Sequence, residues 1–281
     1  MAGTTRLAGI MGWPVGHSLS PLLHRHWFEA HGIDGAYVKL AVAPKGLEAA
    51  LRALPALGFL GCNVTIPHKE HAFALVDERD AAAEAMGAVN TVLVLPDGRL
   101  KGLNTDGLGF LAHLRATLPG LALEGARALV LGTGGAARAI GRVLLDPGGG
   151  AGVETLLLAN RTEARARALA DFLGGGEVVP WEARGAALEG VDLLVNATPL
   201  GMAGQGPLPL DIEALPAGAA VYDIVYRPLE TDLLARARAR GNPVVDGLGM
   251  LLHQAVPGFA HWGGVTPPVD RAAREAALAG L

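Results

Sequence analysis

Apolar residues alternate with polar ones, or form short runs, in a pattern that predicts strands and helices following one another along the chain. The predicted strands share β-branched or other apolar residues at such positions and fall at 6–11, 37–43, 61–66, 92–95, 100–103, 128–131, 155–159, 178–179, 192–196, 219–225 and 243–245. The predicted helices lie between them at 20–30, 44–57, 69–86, 108–118, 138–145, 163–172 and 231–240. This repeated alternation is typical of an α/β protein with a parallel, doubly wound sheet.

The order of these elements predicts two α/β domains separated by a cleft. Residues 105–245 would form one doubly wound domain, and the first hundred or so residues would form the other. The tail offers two helices, one starting near Asp246 and one over Asp270–Leu281, but no further strand. We therefore expect the tail to pack on the first domain, which would then comprise residues 1–104 and 246–281.

Polar side chains gather where the strand that begins at Gly61 ends. Val64 and Ile66 alternate with Asn63 and Thr65, as in a strand, and Pro67 then stops the ladder because it has no N–H. Lys69 follows at once. In open α/β sheets, ligands bind outside the carboxyl ends of the strands, so this segment is a candidate site.

Composition and charge narrow the classes of protein to consider. Hydrophobic residues make up 51% of the 281 residues and charged residues 18%, which suits packed cores and argues against disorder. The net charge of -4 and the lack of a long basic run argue against a nucleic-acid partner. A single cysteine, Cys62, rules out an internal disulfide and fits a reducing compartment. No apolar run suits a membrane span or a signal peptide, so a cytoplasmic protein is expected.

A glycine-rich segment, 132–137, follows a predicted strand and opens a predicted helix. That context is the one in which glycines allow backbone to approach a dinucleotide pyrophosphate, although an ordinary β–α turn has the same shape. The next strand ends before Arg161, with Arg165 one helical turn later. Arginine at this place accommodates the 2′-phosphate of NADP, whereas an acidic residue would indicate NAD. Glu163, an acidic residue close to this place, argues for NAD instead.

Other candidates have both a chemical and an ordinary interpretation. Ser18 and Ser20 could bind a carboxylate, while Ser20 could instead cap the helix that begins with Pro21. Lys69 and Asp106 could move a proton to a carbonyl oxygen, or they could form surface ion pairs. The histidines at 24, 26, 68 and 71 lack Cys or carboxylate neighbours in a ligand pattern, so no metal site is expected.

The order of these motifs resembles the shikimate dehydrogenase family over essentially the whole chain. The segments that carry the resemblance are, in order, 12–21, 63–69, 87–91, 104–106, 132–138, 160–162, 196–202, 223–226 and 246–254. Each segment alone is weak, but nine in order with matching spacing are specific.

The resemblance implies the reversible, NADP-dependent reduction of 3-dehydroshikimate to shikimate, a step of chorismate and aromatic amino acid biosynthesis. It implies Lys69 and Asp106 as the catalytic pair, without deciding which carries the proton. The implied substrate ligands are Ser18, Ser20 and Thr65 for the carboxylate, with Asn63, Asn90 and Gln254 for ring hydroxyls and Tyr226 close by. The implied ligands of the cofactor in the second, Rossmann-type domain are Gly132, Gly134, Gly135, Ala136, Asn160, Arg161, Thr162, Arg165, Thr198 and Met202, with Gly247 and Met250.

Two alternatives remain at this point. One is a broader quinate/shikimate dehydrogenase that uses NAD, against which Arg161 argues. The other is a non-catalytic protein of the same fold that senses shikimate-like ligands, since fold alone does not decide function. The chain is expected to be a monomer or a homodimer.

Overall fold

The computed structural model describes residues 5–281, which divide into two compact units. The first unit comprises the described residues up to Thr105 together with Leu251–Leu281, and the second is Asp106–Met250. No helix in this described part of the chain has the length and apolar character needed to cross a membrane.

Twelve strands and ten α-helices follow one another along residues 5–281. Up to residue 103 they are β1 (Arg6–Gly12), α1 (Ser20–Ala30), β2 (Gly35–Ala41), α2 (Leu47–Ala53), β3 (Phe59–Val64), α3 (Lys69–Leu75), β4 (Glu78–Arg79), α4 (Ala81–Met86), β5 (Thr91–Val94) and β6 (Leu100–Leu103). They continue with α5 (Asp106–Thr117), β7 (Arg127–Leu131), α6 (Gly135–Leu145), β8 (Thr155–Ala159), α7 (Glu163–Leu173), β9 (Glu177–Val179), β10 (Leu193–Asn196), β11 (Ala220–Asp223), α8 (Asp232–Ala239) and β12 (Val244–Val245). The last two helices are α9 (Leu248–Gly263) and α10 (Arg271–Leu278).

The sheet of the first unit is mixed. Its strand order is β2-β1-β3-β5-β6-β4. β1 runs parallel to β2 and β3, whereas β5 is antiparallel to both β3 and β6. Helices α2 and α3 pack a buried apolar cluster against one face, including Leu51, Cys62 and Val92. This arrangement places the end of β3 beside the start of β5, which is where the candidate polar residues lie.

The sheet of the second unit is parallel throughout, which confirms the doubly wound prediction. Its order is β12-β11-β10-β7-β8-β9, so the direction of winding reverses beside β7. The strands are buried on both faces and read as apolar runs such as Ala128–Leu131, as strands covered on both sides do. The carboxyl ends of the neighbouring strands β7 and β10 therefore mark the point where such sheets bind ligands.

The prediction of a single helix over 69–86 is wrong. The chain leaves α3 at Val76, forms β4 parallel to β6, and starts α4 only after Asp80. The guanidinium of Arg79 donates to the carbonyl oxygen of Phe73 at 2.6 Å, and the Asp80 carboxylate accepts from the N–H of Ala83 at 2.6 Å. Strand pairing and capping thus override the helix propensity of an alanine-rich segment.

Two smaller corrections concern helix ends. Ser20 is not the N-cap of α1: Leu19 occupies that place, and the hydroxyl oxygen of Ser18 accepts from the N–H of Ser20 at 3.3 Å. The helix predicted over 44–57 is a 3₁₀ turn at Pro44–Gly46 followed by α2, which ends at Ala53, two residues before Pro55. Leu54 still has helical dihedral angles, but Pro55 has no N–H to donate to the carbonyl oxygen of Leu51, which ends the regular helix.

The tail contacts the N-terminal elements of the first unit directly. The indole N–H of Trp27 donates to the carbonyl oxygen of Pro268 at 3.1 Å, and Arg6 donates to that of Trp262 at 2.8 Å. Gly280 approaches α1 so closely that a Cβ there would lie 2.5 Å from the side chain of Leu22.

An uncharged histidine lies among the aromatic side chains of this unit. His24 is fully buried and stacks on Tyr37, with ring centroids 3.9 Å apart and planes at 5°. Neither ring nitrogen forms a hydrogen bond within residues 5–281. Burial lowers the pKa of His24 from 6.5 to about 3, so the folded protein holds it neutral.

This histidine should make the protein sensitive to mild acid. Its pKa is lower in the folded than in the unfolded chain, so its contribution to stability is present above pH 6.5 and is lost as the pH falls below that value. We expect the free energy of unfolding to drop by about 2 kcal/mol from this residue between pH 7 and pH 5. His24→Phe keeps a ring in the stack and should remove that part of the loss in urea titrations. An equal loss in the variant would contradict the assignment.

Candidate active site

A network of buried amide and hydroxyl groups occupies the end of β3 and the start of β5 in the first unit. The side-chain N–H₂ of Asn63 donates to the hydroxyl of Thr91 at 2.9 Å and to the carbonyl oxygen of Asn90 at 3.3 Å. The Asn90 amide donates to Thr105 at 3.0 Å and to the Gln254 side chain at 3.5 Å. Thr105 also donates to the carbonyl oxygen of Gln254 at 2.8 Å. The structure thus brings together Asn63, Asn90 and Gln254, which the sequence places far apart.

Tyr37 joins this network and was not singled out from the sequence. Its hydroxyl donates to the side-chain oxygen of Asn63 at 2.6 Å and also hydrogen-bonds to Ser20. Burial raises the pKa of Tyr37 well above 10, so its hydroxyl stays protonated and available as a donor. Because these partners come from β2, β3 and α1, nothing local in the sequence indicates the contact.

Lys69 is the first residue of α3 and lies beside this network. The N–H of Val64 donates to the carbonyl oxygen of Asn90 at 2.7 Å, and the N–H of Val89 donates to that of Lys69 at 2.9 Å. These two backbone bonds hold the start of α3 next to the segment that carries Asn90. The lysine side chain is partly buried rather than fully exposed.

Thr65 faces the loop that leads from β1 to Ser18. Its N–H donates to the carbonyl oxygen of Met11 at 2.9 Å, and a Cβ at Gly12 would lie 2.5 Å from its methyl group. Ser18 is half-buried and its hydroxyl faces the backbone of Ser20. The loop and the end of β3 are therefore held against each other within this unit.

Asp106 and Tyr226 belong to the second unit. Asp106 starts α5 and is 9% exposed; it follows Thr105 directly in the chain. Tyr226 lies three residues after β11. Its pKa is raised by burial, an effect that the nearby Arg227 opposes. All the other predicted substrate ligands lie in the first unit.

A pocket of about 280 Å³ opens at the point of the second sheet where the winding reverses. It is bounded by the loops after β7, β8 and β10, which contribute Gly132–Gly134, Asn160 with Arg161 and Arg165, and Ala197–Leu200. The amide of Asn160 donates to the carbonyl oxygen of Thr162 at 2.9 Å and thereby orders the second of these loops. An adjoining pocket of about 300 Å³ is lined by Thr133, Gly134, Arg138 and Arg165.

The glycines of the first loop leave room for a ligand. A Cβ at Gly134 or Gly135 would meet no protein atom within 4 Å, so packing within the protein does not require glycine there. Both are exposed and stand at the start of α6, whose first turn has no side-chain cap. A helix N-terminus with unpaired N–H groups and no Cβ in front of it suits a pyrophosphate. The predicted ligand Ala136 is the second residue of this helix.

The cationic side of the pocket suits a further phosphate. Arg161 and Arg165 are exposed, and within residues 5–281 neither guanidinium forms a hydrogen bond or an ion pair with another protein group. Glu163, the residue that spoke for NAD, accepts instead from the guanidinium of Arg167 at 3.1 Å. Thr162 precedes α7 as its N-cap residue without a side-chain cap bond. The donors present fit the 2′-phosphate of NADP better than a 2′-hydroxyl.

The other predicted cofactor ligands differ in exposure. Thr198 lines the pocket, and Met202 is 41% exposed in the turn that follows. Met250 is buried within the apolar core of the second unit. Gly247 packs against the chain after β11, where a Cβ would lie 2.1 Å from the carbonyl oxygen of Ile224.

Sequence reasoning missed Trp181, which lines the same pocket. The guanidinium of Arg184 lies 4.2 Å above the indole ring and also donates to the carbonyl oxygens of Trp181 and Pro209. One face of the indole is therefore covered by the protein, while the residue still borders the pocket. Trp181 is one of only four tryptophans in the chain, but no motif around it after β9 indicates a ligand contact.

Comparison with known proteins agrees with this geometry. Residues 10–92 match the family model described as the shikimate dehydrogenase substrate binding domain. A shikimate dehydrogenase (NADP(+)) of Paramagnetospirillum magneticum is 57% identical to the chain over 271 residues, which cover 96% of this chain and 97% of the relative.

Solved structures of similar fold cover nearly all of the chain. A Thermus thermophilus shikimate 5-dehydrogenase, in complex with NADP(H) and shikimate, aligns with a TM-score of 0.86 and 40% identity, covering 98% of this chain and 99% of its own. A quinate dehydrogenase of Corynebacterium glutamicum in complex with NAD aligns with a TM-score of 0.88 and 35% identity, covering 98% and 99%. The extent and level of these similarities show that the chain belongs to the shikimate dehydrogenase family.

Proposed function

We propose that this chain catalyses the reversible, NADPH-dependent reduction of 3-dehydroshikimate to shikimate. The observation that carries the proposal is the pocket where the parallel sheet reverses its winding. The N-terminus of α6, which has no side-chain cap, and the guanidinium groups of Arg161 and Arg165 would face a ligand there. The 57% identity to a relative named shikimate dehydrogenase (NADP(+)) supports it. The enzyme would act in the cytoplasm, in chorismate and aromatic amino acid biosynthesis, as a monomer or a homodimer.

Binding of the substrate falls to the polar residues of the first unit. Ser18, Ser20 and Thr65 would hold the carboxylate, and Asn63, Asn90 and Gln254 would hold ring hydroxyls; Tyr226 is a further candidate ligand. The amides of Asn63, Asn90 and Gln254 are already oriented by hydrogen bonds within the protein, so little ordering of them remains for the substrate to impose.

The catalytic step requires charge stabilisation and a proton at the ketone oxygen. NADPH supplies the hydride. The ammonium of Lys69 would stabilise the negative charge that develops on that oxygen, and either Lys69 or Asp106 would supply the proton. Lys69 suits this role because it is the first residue of α3, and a backbone hydrogen bond holds it next to the segment of Asn90, a proposed ligand of the substrate ring.

Arg161 and Arg165 would select NADP. Their guanidinium groups would pair with the 2′-phosphate, while Trp181, which lines the same pocket, would contact the adenine ring. The similarity to an NAD-bound quinate dehydrogenase keeps a second candidate, a quinate/shikimate dehydrogenase that uses NAD. The ion pair of Glu163 with Arg167 argues against it, because that carboxylate is engaged elsewhere.

Formation of NADPH from shikimate and NADP by the wild-type protein tests the proposal directly. We expect kcat/KM to be higher with NADP than with NAD, and higher with shikimate than with quinate. A preference for NAD and quinate would support the second candidate. Binding of shikimate without turnover of either substrate would indicate a non-catalytic sensor.

Replacing Lys69 should separate catalysis from binding. We expect Lys69→Ala to lower kcat by about 10²- to 10⁴-fold, the usual contribution of a positioned proton donor, while shikimate still binds. Lys45→Ala, at an exposed lysine of the same unit, should leave kcat unchanged. Turnover by Lys69→Ala at the wild-type rate would refute the assignment.

Removing both pocket arginines should change cofactor preference. In the double variant Arg161→Ala with Arg165→Ala, we expect KM for NADP to rise at least about tenfold, because two charge-assisted contacts are lost, and KM for NAD to change little. Arg142→Ala is the control, since Arg142 is an exposed arginine of the same unit that lines neither pocket. Equal effects on the two cofactors would show that the arginines do not read the 2′-phosphate.

Trp181 can be tested without turnover, using 2′,5′-ADP. We expect Trp181→Ala to weaken binding of this fragment about fivefold, the loss of about 1 kcal/mol for one aromatic pair, and Trp181→Phe to retain most of it. Calorimetry measures both. Wild-type affinity in Trp181→Ala would exclude a contact with adenine.

A further inference from the structure

A buried carboxylate that the proposed chemistry does not use lies beside the residue that precedes the pocket loop after β10. Asp223 ends β11 and Asn196 ends the neighbouring strand β10, where the two residues are in register. Both side chains are 0% exposed. The proposed reaction uses neither residue, so the burial of the ionisable side chain of Asp223 needs another explanation.

Three neutral donors converge on the carboxylate of Asp223. One oxygen accepts from the side-chain N–H₂ of Asn196 at 3.0 Å and from the N–H of Val225 at 3.0 Å, and the other accepts from the hydroxyl of Thr231 at 2.7 Å. None of these partners is a cation. Burial raises the pKa of Asp223 and the three hydrogen bonds oppose that rise. A carboxylate satisfies such a set of donors because it only accepts.

Asn196 connects Asp223 to the loop that lines the pocket. Its side-chain oxygen accepts from both the N–H and the hydroxyl of Thr198, at 3.1 and 2.7 Å. Its N–H₂ also donates to the carbonyl oxygen of Leu200 at 3.1 Å. Since both amide hydrogens are used, the orientation of Asn196 depends on having Asp223 as an acceptor.

The segment after β11 is held from two sides. Asp223 accepts from Val225, and Gly247 packs its backbone against Ile224 so closely that a Cβ would lie 2.1 Å from the Ile224 carbonyl oxygen. The N–H of Ala203 also donates to the carbonyl oxygen of Arg227 at 2.7 Å, which links this segment to the pocket loop. Asp223 thus links the segment that carries Thr198, through Asn196, to the segment that carries Tyr226, against which Gly247 packs.

We propose that Asp223 is a positioning residue that holds the pocket loop 197–202 and the segment 224–226 in a single arrangement, so that binding of NADP and of shikimate depends on it. The inference rests on the proposed function, because it takes this pocket as the NADP site. It predicts that loss of Asp223 disturbs both ligands, whereas loss of Asn196 disturbs NADP alone.

The test compares four variants of the full chain by calorimetry with NADP and with shikimate. For Asp223→Ala we expect Kd for both ligands to rise about tenfold, as for removal of one buried acceptor. For Asn196→Ala we expect a similar rise for NADP only. Asp223→Asn should restore near wild-type affinity, since its amide oxygen can still accept from Asn196 and Val225 while its N–H₂ faces Thr231.

Thr231→Val is the matched structural control. It removes the third donor and the cap of α8, where the Thr231 hydroxyl accepts from Leu234 at 3.3 Å, but it leaves the bonds to Asn196 and Val225. We expect it to lower Tm without changing either Kd. If Asp223→Ala lowers Tm in the same way and keeps both affinities, Asp223 is structural only and the proposal is wrong.

Two further outcomes keep the inference testable. If Asp223→Ala does not fold, Asn196→Ala decides, and wild-type affinity for NADP in that variant overturns the proposal. If the wild-type protein binds NADP but does not oxidise shikimate, the proposed function fails while the effect of Asn196→Ala on NADP affinity still tests the positioning role.

Discussion

Close approach between backbone segments is the constraint on which the second unit depends. Gly132, with φ of +102°, follows β7 and lies against the loop after β10, where a Cβ would come within 2.7 Å of the Ala197 carbonyl oxygen. Any side chain there would push the two loops apart just where the parallel sheet reverses its winding. Gly134 and Gly135 have no such neighbour, so their lack of a Cβ leaves space in front of the helix instead. One short loop therefore meets a packing requirement and a ligand requirement with the same residue type.

Side-chain amides at strand ends hold the loops of both units in place. Asn63 and Asn90 connect β3, β5 and the tail helix in the first unit, and Asn196 connects β10 to β11 in the second. An asparagine can donate and accept at once, so each one fixes two neighbouring segments. Because these groups are buried, an unmade bond would be costly, and the arrangement is strongly specified. The chemistry proposed for the site relies on loops that are ordered before any ligand arrives.

Local patterns predicted most of the elements and the parallel, doubly wound sheet. They failed over 69–86, because β4 forms by pairing with β6, a partner about twenty residues away that periodicity does not record. They also failed at Ser20, which is the first residue of α1 rather than its N-cap. Over 69–86, therefore, a strand partner outside the local pattern decided the outcome.

The sequence by itself determined the fold class, the glycine-rich turn before α6 and the two arginines that fit NADP, because each depends on residues that are near one another in the chain. Only the tertiary structure decided which polar groups meet. Tyr37 reaches Asn63 across 26 positions, Asn90 reaches Gln254 across 164, and Asn196 reaches Asp223 across 27. Trp181 likewise reaches the pocket only through the fold. Periodicity and turn chemistry describe neighbours along the chain, whereas sheet register and loop packing choose the partners across it.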